Sequence, residues 1–493
     1  MKNTKKKKIF CILVAVSLML LFSCKDSSDE KPIGSTDADD RNSGALDEPA
    51  ENPLYIDDLP ERDYGGETFK MMTWDVSFGN LELVVEEQTG DVIFDSIYLA
   101  NRSVQDRFKI EFEQIYVDNY GNNTANIRRT VSTGDNAYDA AIVLASQAME
   151  LALEGKYFYT IDELPYVNLE KLYWDQQLKK DLTIDNVLYF TGGAHMLSIC
   201  DLLNFLVYNK QLVTDLGLEN IYDLVRDGNW TIDKMYEMAA AAASDLDGDS
   251  IMTEGDRWGV VQFSGQYYPS FWGAERLPLV AKDANDLPYF NVKGNEKFFR
   301  LFDKLYSYSQ SGCEWNSRRN VNETTVTMFN KGQGLFLSST MFSVQSLRGM
   351  DVDYGIVPYP TLDEKRPGEP YSARLTSIYP MIVPVTADAE RASVIMEALA
   401  NEYQRRVIPN YYELAVQIKS TRDEESLEIL EMLMANRFMD FGDALWTYET
   451  RVKYTDIFDL TKGNILQSET EKIADVMDMT IEKAIEAFRN AGG

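Results

Sequence analysis

Asp245, Asp247, Asp249 and Asp256 place carboxylates at positions one, three, five and twelve of a single loop, with the main-chain carbonyl of Ile251 at position seven. Oxygen donors at that spacing are the set a calcium ion takes from a twelve-residue loop, because a hard dication gathers about six to eight oxygens. Two positions depart from the pattern. Ser250 stands where a turn glycine is usual, the glycine having moved to Gly248, and Asp256 is shorter than the chelating glutamate normally found at twelve. The competing reading is an exposed acidic turn behind the alanine run Ala239–Ala243. The loop is thus a candidate structural calcium site with Asp245, Asp247, Asp249, Ile251 and Asp256 as ligands.

A second chemistry is offered by aromatic rings. Sugars present flat C–H faces that stack on indoles, while their hydroxyls pair with Asp, Gln, Ser and Arg. Trp74, Trp174, Trp272, Trp315 and Trp446 stand among the seven tryptophans. Any one of them is more often core than binding site, so the set matters more than its members. Hydrolytic chemistry has less to stand on. His195 is the only histidine, so a triad or a zinc centre of the usual ligands would rest on that residue alone, and beside Gly192-Gly193 it reads as structural. Cys200 and Cys313 read as separate buried thiols, small core hydrophobes.

These side chains need elements to position them. Thr68–Thr73 reads as a strand ending at Trp74, and Ile97, Ala100, Val104 and Phe108 fall at helical spacing. Phe108, Ile110 and Phe112 alternate with charged residues as a half-buried strand does, and Tyr138–Ala145 is an apolar strand running into Ser146-Gln147. Strands alternating with helices give a parallel sheet, with ligands expected at the strand ends. Leu197–Lys210 is a nearly continuous apolar run carrying Asp201, and it reads as a strand crossing from a first α/β lobe into a second. A strand-helix alternation follows it as well, so two lobes with a cleft between them are expected. Asp353–Thr361 reads as the second crossing, with Tyr371 and Arg374 just beyond it. The last helix carries Ile473, Met477, Ile481, Ile485 and Phe488 on one face.

The chain has 493 residues, which suits two lobes, and 45% hydrophobic content supports a large packed interior. Its formal charge of −31 repels phosphate backbones, so nucleic acid is not an expected partner. The basic Met1–Lys8 and the short apolar run Ile9–Phe22 read as a secretory signal, too short for a membrane span. Leu21-Phe22-Ser23-Cys24 resembles the lipobox of bacterial lipoproteins, which implies cleavage before Cys24 and acylation of its thiol. Lys25 to about Pro60, rich in Ser, Asp, Glu, Pro and Gly, reads as a flexible acidic tether reaching roughly 30 to 35 Å.

The crossing run ending Tyr208-Asn209-Lys210 resembles the lobe-crossing segment of extracellular solute-binding proteins, the receptor subunits of ATP-binding-cassette importers. The phrases "DLVRDGNWTIDKM", "MFNKGQGLFL", "DYGIVPYPTLDE" and "YYELAVQIKSTRDEESLEILEML" resemble those of long, sugar-binding members of that group, in the same order. The resemblance implies a two-lobed periplasmic-binding-protein-like α/β fold, with residues 1–23 as signal peptide, 24–64 as linker, 65–200 and 356–412 in lobe I, and 201–355 and 413–493 in lobe II. It implies a lipid-anchored, extracytoplasmic monomer that captures a carbohydrate and delivers it to membrane permease subunits. Trp74, Ser146, Gln147, Asp201, Trp272, Tyr371, Arg374 and Trp446 occupy segments that border the cleft in similar proteins. An enzymatic alternative is a secreted glycoside hydrolase or lyase working with two carboxylates, and a third is a sensory module reporting to a membrane kinase. No catalytic phrase accompanies the binding-protein phrases.

Overall fold

The structure, a computed structural model, describes residues 53–74, 83–317, 321–347, 353–411, 417–418, 421–422, 424–459 and 463–491. The signal segment, Cys24 and the linker as far as residue 52 lie outside the described residues. Residues 53–64, expected as the end of the flexible tether, are instead fixed to the body, because Arg107 pairs with Asp57 at 2.7 Å and the Lys171 ammonium donates to the carbonyls of Pro53 and Ile56. In chain order the strands that build the two main sheets are β1 (Glu67–Trp74), β2 (Ile110–Val117), β3 (Ala140–Ile142), β4 (Asn204–Asn209), β5 (Trp258–Gln262), β6 (Glu314–Asn316), β7 (Gly334–Thr340), β8 (Tyr354–Val357) and β9 (Met381–Ile382).

The first sheet has the order β9-β3-β1-β2. β1 runs parallel to β2 and β3, with Met72 opposite both Ile115 and Ala141, so the carboxyl ends of all three point the same way. Parallel pairing demands crossover helices, and the sequence supplies them with clear start signals. Asp91 caps the helix Val92–Phe108 by accepting from the amides of Ile93 and Phe94. That helix buries Ile97, Ala100, Val104 and Phe108 as the spacing predicts. The expected strand Tyr138–Ala145 is shorter, Ala140–Ile142, because the helix Ala145–Glu154 already begins at its end.

The second sheet has the order β8-β4-β7-β5-β6, with β4 antiparallel to both neighbours and β5 parallel to β6 and β7. The apolar run from Leu197 is not one strand. Its first part is a helical turn, Ser198–Asp201, in which the amide of Asp201 donates to the carbonyl of Leu197, and the strand starts only at Asn204. An apolar run buried on all sides carries no periodicity to separate the two states.

The second crossing lies later than Asp353–Thr361. Tyr354–Val357 pairs with β4 inside the second sheet, and the chain beyond it stays there: Thr361 bridges to Thr231, and the Lys365 amide donates to the Gly228 carbonyl. Gly228 has φ +79°, and a Cβ there would lie 2.2 Å from the Lys365 carbonyl oxygen, so only glycine admits this contact. The return to the first sheet falls between Arg374 and Met381, where Leu375 bridges to Leu203. The helix Ala389–Arg406 then packs on Val92–Phe108, with the Tyr403 hydroxyl donating to Asn101. The final helix Leu466–Ala491 buries Ile473, Met477, Ile481 and Phe488, and the Phe488 ring lies 4.6 Å from that of Tyr189.

Candidate functional site

Three parallel strands of the first sheet end together at Trp74, Val117 and Ile142, and the connections after them form one rim. Trp74 is 1% exposed and its ring meets Tyr379 edge-on at 5.4 Å. Tyr379 is held there by its neighbours: the Val143 amide donates to Pro380, the Ala145 amide to Ile378, and the Tyr379 amide to the Ser198 hydroxyl. Burial raises the Tyr379 phenol pKa above its ordinary value, and the charge of Asp201, which is 0% exposed, adds to that. The indole Nε1 of Trp74 is buried with no acceptor among the described residues. A buried donor in that state costs about 1 to 3 kcal/mol, which a hydroxyl oxygen brought by a ligand or water would relieve.

Ser146 sits half-buried in the first turn of Ala145–Glu154. Gln147 beside it is fully employed in tying the rim together. Its carbonyl accepts from the Leu144 amide and the Asn123 amide group, and its own amide donates to the Tyr120 carbonyl at 2.7 Å.

Across the crossing, Arg374 and Asp443 form an ion pair at 2.6 Å, each 1% exposed, and Arg451 holds the other Asp443 oxygen at 2.5 Å. Burial lowers the pKa of the Arg374 guanidinium, and Asp443 opposes that. Arg374 is therefore committed within the protein. Asp443 lies on the short helix Phe441–Leu445, which packs on Ala145–Glu154 and is followed by Trp446. Trp446 is buried against Phe441 at 5.2 Å, and its Nε1, like that of Trp74, has no acceptor among the described residues. These residues are thus linked in a chain of contacts: Trp74 to Tyr379, Tyr379 to the helical turn that carries Asp201, Ile378 to Ala145 beside Ser146, and the helix of Ser146 to Phe441–Leu445, which precedes Trp446 and whose Asp443 pairs with Arg374.

Two further expected residues, Trp272 and Tyr371, direct their rings to other contacts. Trp272 packs on Phe298 at 5.7 Å, at the start of an aromatic chain through Tyr454, Phe302 and Phe458 inside the second lobe. Tyr371 turns its hydroxyl to the Trp230 carbonyl and lines a cavity of about 240 Å³ with Tyr222, Arg226 and Met432. Burial pushes its phenol up to about 12. A larger cavity of about 570 Å³, lined by Asp58, Tyr166, Asn168 and Glu397 among others, contains none of the expected residues.

His195 is buried against Trp174 and burial pushes its imidazole down to about 3, so it stays neutral. Cys200 and Cys313 are free and buried.

In the acidic loop, carboxylate oxygens of Asp245, Asp247 and Asp249 all lie within 4.8 Å of one another. Ser250 adopts φ +66°, the left-handed turn for which a glycine would be usual. The backbone amide of Asp249 favours the charged form of Asp247, but partial desolvation and the charges of Asp249 and Asp256 raise its pKa. Asp256 stands outside this cluster: its oxygens accept from the amides of Leu246 at 2.8 Å and Thr253 at 2.6 Å, closing the loop. The Ile251 amide donates to Asp249 at 2.7 Å.

The two sheets joined by paired crossings define a two-lobed periplasmic-binding-protein fold. No family model matches the chain, and no curated protein does. Solved structures do. The GacH receptor of Streptomyces glaucescens, solved free and with acarbose, has a TM-score of 0.56 at 12% identity, covering 85% of this chain and 99% of that one. An ABC substrate-binding protein of Listeria monocytogenes in complex with cycloalternan gives 0.54 at 11% identity, covering 85% and 99%. UgpB of Mycobacterium tuberculosis with glycerophosphocholine gives 0.53 at 13% identity, covering 85% and 99%.

Proposed function

We propose that this chain is an extracytoplasmic solute-binding protein that captures a carbohydrate between its lobes and delivers it to an ATP-binding-cassette importer. The observation that carries the reading is the rim at the first-sheet strand ends. There an aromatic pair, Trp74 and Tyr379, meets the buried acid Asp201 beside the crossing, in a fold whose solved counterparts include sugar complexes. A ring face takes the apolar side of a sugar, and the Nε1 of Trp74 supplies a donor in want of an acceptor. A thermal-shift screen against neutral oligosaccharides, glycerophosphodiesters and peptides tests it. A ligand at a hundred times its dissociation constant adds about 2.7 kcal/mol, and calorimetry with the best hit then gives affinity. Trp74→Ala is expected to weaken that affinity by about 1 to 3 kcal/mol. Unchanged affinity removes Trp74 from the site, and turnover of the sugar moves the protein into the enzyme class.

The mature chain begins, in this proposal, at an acylated Cys24, with the acidic linker as tether. Cys24→Ser is expected to shift the protein from the membrane fraction to the soluble one. Retention in membranes would assign the anchoring to something other than the lipid.

Calcium is proposed as a structural ion held by Asp245, Asp247 and Asp249 with the Ile251 carbonyl, Asp256 closing the loop. Three carboxylates this close repel one another without a cation, and a bound ion would offset that. Chelation is expected to lower the melting temperature of the wild type, and Asp247→Ala to abolish the difference. Superimposable melts with calcium and with chelator defeat the idea.

A further inference from the structure

The two crossings are stitched to each other. Leu203 and Leu375 form an antiparallel bridge, and the Thr376 amide donates to the Leu202 carbonyl at 3.2 Å. Over this bridge lies one side chain, Asn204, fully buried at the start of β4. Its Nδ2 shares two hydrogens among three acceptors, the Leu202 carbonyl at 2.9 Å, the Arg374 carbonyl at 3.0 Å and the Thr376 hydroxyl at 2.7 Å. The Arg374 guanidinium donates to that same hydroxyl at 3.0 Å. Leu202 and Thr376 lie on the first-lobe side of the two crossings, and Arg374 and Asn204 on the second-lobe side. One amide nitrogen therefore spans both sides of both crossings.

We infer that Asn204, acting with Thr376, is the positioning residue that holds the lobes in the arrangement closed over the candidate site. Rotation of one lobe against the other changes the dihedrals between Leu202 and Asn204 and between Arg374 and Thr376. Three acceptors drawn from both segments cannot keep their distances to one nitrogen through that rotation. The bonds belong to this arrangement, in which Trp74 and Asp201 are 1% and 0% exposed. The rest of Asn204 does not account for an amide at this position: its Oδ1 is buried without a donor among the described residues, which is itself a cost. The contribution of the side chain thus comes from Nδ2.

A ligand gripping both lobes binds the closed arrangement, so its apparent affinity follows the closed fraction. The consequence for affinity rests on the solute-binding reading, whereas the consequence for the lobes does not. The test is small-angle scattering of the unliganded full chain, with stopped-flow tryptophan fluorescence using the sugar found in the screen. Asn204→Ala is expected to enlarge the unliganded radius of gyration relative to the wild type. It should also raise Kd about tenfold, mainly through a faster off-rate, as loss of a few bonds held in one of two states does. Thr376→Val, which removes one shared acceptor at constant shape, should move both readouts the same way by less, and it decides the matter if Asn204→Ala does not fold. A folded variant with wild-type scattering and off-rate, even at a lower melting temperature, overturns the inference. A wild type that binds no sugar removes the proposed function, and the scattering comparison still decides the hinge.

Discussion

Asp443→Ala is expected to cost about 3 to 5 kcal/mol of folding stability, the loss that follows when one partner of a buried ion pair is removed. Asp443 serves two guanidiniums: Arg374 reaches one oxygen through Nε and Nη2, each at 2.6 Å, and Arg451 takes the other. Deleting the carboxylate leaves Arg374 charged and 1% exposed with no other carboxylate in an ion pair with it among the described residues. The stem of Arg374 is closely packed on the helix Ser264–Ala274. A Cβ on Gly273 would lie 2.6 Å from the Arg374 Cβ, which is why the helix Ser264–Ala274 presents a glycine there. The measurement is urea unfolding, where the midpoint should fall with the slope unchanged. The double variant Arg374→Met with Asp443→Leu should regain part of the loss, since an apolar pair of similar volume avoids the desolvation cost, while Arg451, 18% exposed, is left to turn toward water. A second readout is independent of stability. The Asp440 carboxyl is pushed up to about 7 by burial and then by the charge of Asp443, so removing Asp443 should lower it. A stability loss under about 1 kcal/mol would mean that water reaches Arg374 and that the pair behaves as a surface one.

That cluster also shows where the sequence is readable and where it is not. Helix starts announce themselves locally: Asp91, Thr231 and Asp388 each cap the helix that follows, and the apolar spacing behind them is local too. The two lobes follow from strand-helix alternation, and Trp74 follows from a strand end. The partner of Arg374 is of another kind, because it lies on a helix of the last segment, and nothing in the local pattern around either residue names the other. The same holds for Tyr379 against Trp74 and for Asn204 against Thr376, each pair assembled only when the crossings meet. Trp272 shows the converse. Its segment is expected at the cleft border from the resemblance alone, yet it is a buried helix and the ring joins the core. The second crossing falls later than the apolar pattern suggests for a physical reason as well: Tyr354–Val357 is as apolar as any crossing strand, and only its pairing with β4 reveals that it remains in the second sheet.

Glu397→Gln is expected to flatten a pH dependence of stability worth about 3 kcal/mol. Glu397 is buried on the helix Ala389–Arg406, where it accepts from the Tyr173 hydroxyl, the Trp174 indole at 2.8 Å and the Asn168 amide at 3.1 Å. Burial is the largest influence and pushes the carboxyl from 4.5 up to about 7, against those three donors. The raised value means that the folded protein holds a proton over a range in which the unfolded chain has lost it. The stabilisation is therefore complete below about pH 4.5 and is lost as pH rises to about 7, beyond which the curve is level. At about 1.4 kcal/mol per pH unit, the span corresponds to about 3 kcal/mol. Glutamine fits the same donors: its carbonyl can take Trp174 and Asn168 while its amide donates to the Tyr173 oxygen. Urea melts of wild type and variant at pH 5, 6, 7 and 8 read the effect, and other titrating groups cancel in the difference. The variant should gain on the wild type with each step up to pH 7 and hold that lead at pH 8. A difference that is constant from pH 5 to pH 8 would show that Glu397 stays ionised throughout, with its three donors outweighing the burial.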